Sequence, residues 1–114
     1  MITARQLIPD IVKVLKRTAT GKGKKYPQYI AAHQIFRRFP QSLRRKLVIE
    51  RSKPGKGNGK EFTAVSLVAI ACKMIPNVII RLLDTEGIIF ETGTNRTASA
   101  GYKVCCIYRL KPGT

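Results

Sequence analysis

Tryptophan is absent from this sequence, histidine occurs once, and only 6 acidic side chains stand against 22 lysines and arginines. The shortage of acids leaves a net charge of +16, far beyond what solubility asks of a small domain. A single histidine, His33, together with three cysteines that never form C-x-x-C, excludes a zinc site built from local motifs. The cysteines are odd in number, with Cys72 in an apolar helical pattern and Cys105 and Cys106 adjacent. They read as reduced thiols serving as small core residues, which points to the cytoplasm. No stretch reaches the length of a membrane span, and the N-terminal MITARQLIPDIVKVLKRT has no uninterrupted apolar core of a leader. Interfacial membrane binding is not expected either, because the basic helices lack a large apolar face.

What is present is a foldable chain. Hydrophobic residues make up 44% of the 114, and their runs are regular, so a single domain spanning 1–114 is expected. Its charge is lopsided. Residues 1–60 hold 16 basic side chains with only Asp10 and Glu50 as acids, a net of +14, whereas residues 61–114 carry +2. The basic helical half is therefore expected to meet an anionic partner.

Leu7, Ile8, Ile11, Val12, Val14 and Leu15 form one helical stripe opposite Gln6, Asp10, Lys13 and Arg17. Thr3 and Gln6 have capping-box spacing, and Pro9 fits only the first turn, so the helix is expected from about Ile8 to Thr18. The segment 19–27, ATGKGKKYP, reads as a basic loop. Ala32, Ile35, Phe36 and Phe39 then recur at helical spacing up to Pro40. A second helix, QSLRRKLVIER, follows with Leu43 and Leu47 inward, and so tight a junction makes the pair cross as in helix-turn-helix units. Residues 52–61 form a second Lys/Gly loop. FTAVSLVAIACKMIP is apolar nearly all round, with Thr63 as expected N-cap, and is expected to be the buried central helix. From Asn77 the period changes to that of strands: NVIIRLLD, a turn at 84–87, IIFET, a polar loop, and YKVCCIYRL.

The expected fold is α+β, about four helices followed by a three-stranded antiparallel sheet, here a meander. A helix leading into a hairpin resembles winged-helix architecture. The resemblance implies that the third helix reads the major groove, yet Ala64 to Ile75 lacks the polar side chains that base edges require.

Three clusters are the candidate nucleic-acid contacts: Lys22, Lys24 and Lys25 with Tyr26; Arg37, Arg38, Arg44, Arg45 and Lys46; and Arg51, Lys53, Lys56 and Lys60. Arginine offers a planar fork to phosphate oxygens, and lysine on a glycine-rich loop follows an irregular backbone. Tyr26 and Tyr29 are the stacking candidates. The loop PGKGNGK is not a P-loop, since Pro54 stands where glycine is required and Glu61 follows Lys60. Asp84, Glu86 and Glu91 with Lys103 lack nuclease spacing, Gly101 occupying the acid's place. His33, read as a surface histidine among arginines, has no nucleophile beside it. No enzyme, metal or cofactor is expected. The expected function is DNA or RNA binding, mainly to the phosphate backbone. The alternative is a small adaptor or inhibitor that grips an acidic protein or the nucleic-acid channel of a nucleoprotein complex, as small proteins of mobile elements do. The strands 78–83 and 102–109 leave homodimerisation open.

Overall fold

The computed structural model describes residues 1–19, 28–51, 61–84, 89–91, 97–99 and 104–111. A 3-10 turn over Arg5–Leu7 runs directly into α1, Ile8–Ala19. The entry is fixed by reciprocal bonds: the Thr3 N–H donates to Gln6 Oε1 at 2.9 Å, and the Gln6 N–H donates to Thr3 Oγ1 at 3.4 Å. Pro9 falls in the first turn, where its missing N–H has no helical partner to lose. Leu7, Ile11, Val14 and Leu15 are buried, and Lys13, Lys16 and Arg17 lie exposed on the other side.

The short strand β1, Ile30–Ala31, leads into α2, Ala32–Arg37, where Gln34 Oε1 accepts the Ala31 N–H at 2.8 Å. Pro40 ends this unit and starts α3, Gln41–Arg51, the Arg44 N–H bonding the Pro40 carbonyl at 3.0 Å. Phe36 and Phe39 meet edge to face at 6.3 Å in the core. The fourth helix, α4, is Phe62–Lys73. It begins one residue before the expected cap: Glu61 occupies the N-cap position, and its carbonyl accepts the first helical bond from Val65. Ala64, Val65, Leu67, Val68, Ala71 and Cys72 are buried, but Ile70 is 54% exposed and Lys73 is open, so α4 is central on one side only.

Four further strands follow: β2, Val78–Asp84; β3, Ile89–Glu91; β4, Thr97–Ser99; and β5, Val104–Leu110. The expected α+β class holds, with an antiparallel three-stranded sheet in the order β1-β5-β2. The pairing is not the expected meander. β2 pairs with β5 from Val78↔Leu110 to Asp84↔Val104, and β3 pairs with β4 from Ile89↔Ser99 to Glu91↔Thr97. β2 thus pairs with β5 and not with β3; residues 85–88, which hold most of the expected turn, lie outside the described residues. The third strand of the main sheet is β1, which pairs Ile30↔Tyr108 and Ala31↔Ile107.

Residues opposed across an antiparallel pair share a face. Val78, Ile80, Cys106, Tyr108 and Leu110 therefore face the helices, where they join Ile35, Phe36, Leu47 and Val68 in the core. Ala31, Leu83 and Ile107 form a separate small cluster on the opposite face.

Candidate nucleic-acid interface

The basic helix α3 is held by a narrow set of contacts. Leu47 is its one fully buried side chain, with Leu43 and Val48 packed against the core edge. Its C-terminal turn grips the N-terminal segment: Glu50 Oε2 accepts the Ile2 N–H at 2.8 Å, and Arg51 Nη2 donates to the Ile2 carbonyl at 3.1 Å. Both backbone polar groups of Ile2 are thereby satisfied while its side chain enters the core.

These contacts sort the expected phosphate contacts. Arg51 is committed to the N-terminal segment. Arg37 Nη2 lies 2.9 Å from Glu61 Oε2, and Arg44 Nε donates to the Phe39 carbonyl at 3.2 Å, locking the α2–α3 junction. Arg38 reaches the Gln34 carbonyl at a long 3.5 Å. Arg45 and Lys46 stand exposed on α3. Lys22, Lys24, Lys25, Tyr26, Lys53, Lys56 and Lys60 lie outside the described residues. Alongside Arg45 runs an open groove of about 310 Å³ lined by Gln41, Arg44, Arg45, Val48, Ile49 and Glu61. Ile49 there is 82% exposed.

Glu61 and Glu50 are the acids that touch this region, and both are turned to internal tasks. Glu61→Gln frees the Arg37 guanidinium and takes a carboxylate off the groove. The expected result is a duplex affinity about two- to fivefold higher at low salt, checked by fluorescence anisotropy. Folding stability drops by less than about 1 kcal/mol, because the pair is partly solvated.

His33, expected at the surface, is buried at 7% exposure. α2 is squeezed between β5 and α4, so a six-residue helix has little free side left. Burial first, and the nearby Arg37 charge second, hold the imidazole below its ordinary pKa of 6.5. As pH falls below that value the unfolded chain takes up a proton that the folded one refuses. Stability is therefore full above pH 6.5 and declines below it, until the folded imidazole also titrates. Urea midpoints between about pH 8 and pH 5 check this, and in a His33→Gln variant the decline should shrink. The Cys72 thiol is pushed up to about 12 by burial, as a core residue should be. Cys72 and Cys106 are free thiols.

Two basic groups escaped the sequence reading. Lys13, Lys16 and Arg17 share the exposed side of α1, a spacing visible in the sequence. Arg81, Arg109 and Lys111 recur at alternate strand positions, and the Arg109 guanidinium carbon lies 4.6 Å from the Tyr29 ring centroid. No described helix is long and apolar enough to cross a membrane. No protein family matches the sequence, and no curated protein or solved structure is detectably similar to it.

Proposed function

We propose that this protein binds nucleic acid through the phosphate backbone, with the exposed side of α3 as the principal contact and no catalytic step. The observation that carries the reading is the disposition of charge around α3. Arg45 and Lys46 point to solvent, while the neighbouring carboxylates of Glu50 and Glu61 are consumed by the Ile2 N–H and by Arg37. Arg45 and Lys46 have no ion pair among the described residues, and cations so placed displace the ions condensed on a nucleic acid when they neutralise its phosphates. The free thiols Cys72 and Cys106 support a reducing compartment such as the cytoplasm.

A winged-helix-like arrangement is part of this proposal. It is supported by the short strand that precedes α2 and pairs with the returning strand β5. In that arrangement α4 takes the reading helix's place, and Ile70 and Lys73 on its open side offer little to base edges. Backbone contact by α3 is the better supported mode.

Titration of duplex DNA, RNA and single strands over a salt series tests the reading. Affinity should fall linearly on a log–log plot as salt rises, with modest differences between sequences. No binding at low salt, or a slope near zero, sinks it.

A further inference from the structure

We infer that the face of the sheet turned away from the helices is a second binding surface, and that its ligand is single-stranded nucleic acid. The pairing Ile79↔Arg109 and Arg81↔Ile107 puts these four residues on one face, opposite the one that carries Tyr108 and Leu110 into the core. Lys111 continues the alternation, its N–H held by the Asn77 carbonyl at 2.9 Å. Tyr29 continues β1 next to Arg109, whose guanidinium lies over its ring.

The surface therefore combines three cations with an aromatic ring and two partly buried aliphatic side chains, Ile79 and Ile107, the latter packed with Leu83 against the buried Ala31. Among the residues whose side chains are described, no acid lies on the stretch formed by Tyr29, Ile79, Arg81, Ile107, Arg109 and Lys111. Arg81 is exposed, and among the described residues its one hydrogen bond is from Nη1 to the carbonyl of the preceding Ile80 at 3.1 Å. Arg109 keeps a buried Nε that makes no hydrogen bond.

Charge complementarity selects a polyanion. A sheet face with ring, guanidinium and aliphatic surfaces selects one whose bases are exposed. A duplex hides its base faces, whereas a single strand offers them for stacking while its phosphates track the cations. α3 packs chiefly on α4 and the N-terminal segment, away from this face. The two surfaces can thus be tested apart, and only the ligand's class is shared with the α3 reading.

The test uses the full chain carrying Arg44→Ala, Arg45→Ala and Lys46→Ala, so that α3 does not contribute, and a fluorescein-labelled oligothymidylate of about 12 nucleotides. This background should still bind the oligonucleotide at low salt. Adding Arg81→Glu with Lys111→Glu should weaken binding at least tenfold, and adding Tyr29→Leu should weaken it about tenfold. Lys13→Glu with Lys16→Glu on α1, the same change in net charge, should cost less than threefold. Melting temperatures identify any variant that fails to fold, and Arg81→Ala with Lys111→Ala then replaces the glutamates.

The inference is overturned if the sheet variants bind like their background, or if the α1 control loses as much. It is also overturned if the background does not bind the oligonucleotide at low salt, whether or not the face captures an acidic protein instead. Failure of the α3 reading shows separately, as unchanged duplex binding by the triple-alanine background.

Discussion

Replacing Arg44, Arg45 and Lys46 together by alanine should lower duplex affinity at low salt by about 100-fold, and should take about 2 to 3 from the slope of log affinity against log salt. The expectation follows from where the charges end. Arg45 and Lys46 are exposed, and Arg44 lines the same groove with only its Nε committed, to the Phe39 carbonyl. The loss should be uniform across sequences, since phosphate contacts carry no base information. Stability should change little, by about 1 kcal/mol for the lost Arg44 bond. Anisotropy titrations at several salt concentrations, with urea unfolding of the same variant, separate the two effects. An unchanged slope would move the contact to another basic region. Arg51→Ala should behave in the opposite way: its guanidinium holds the Ile2 carbonyl, so stability suffers more than the salt slope.

Leu47→Ala should be among the most damaging single changes to this helix, costing about 2–5 kcal/mol of folding stability. Leu47 is fully buried and is the only α3 side chain that enters the core completely. Its loss leaves a cavity between α3 and α4 and loosens the element that presents the basic side chains. The midpoint of chemical unfolding should fall with little change in its slope. Nucleic-acid affinity should drop only as far as the folded fraction does, because no charge has been removed. A large affinity loss in a variant that is still folded would instead show that the rigid placement of α3 contributes to binding. Phe36→Ala should cost a similar 3–5 kcal/mol while leaving α3 in place, which makes it a suitable comparison.

Much of the helical half was legible. The apolar stripe from Leu7 to Leu15, the Thr3–Gln6 cap, Pro9 in the first turn and the break at Pro40 are local patterns, and the helices begin and end where those patterns change. The strands were legible as strands but not as partners. Composition marks 78–84, 89–91 and 104–110 as strand-forming, but β2 pairs with β5 and β3 with β4, a choice made by contacts far apart in sequence. β1 escaped because Ile30 and Ala31 are too few to show alternation. They become a strand only because Tyr108 and Ile107 lie opposite them. His33 was misplaced for a similar reason. Helical spacing set it beside Arg37 on an outer side, but its short helix is enclosed between β5 and α4.

By itself the sequence determined the α+β class, the amphipathic helices and the concentration of positive charge in residues 1–60, all of which are written in composition and in periods of a few residues. Only the tertiary structure decided which charges remain available. Arg51 and Glu50 meet Ile2, and Arg37 meets Glu61, across sequence separations that no local pattern encodes. The same holds for the sheet, where pairing β5 between β1 and β2 gathers Tyr29, Arg81 and Arg109 onto one face. A charge is counted along the chain, but its counter-ion is chosen by whatever folds against it.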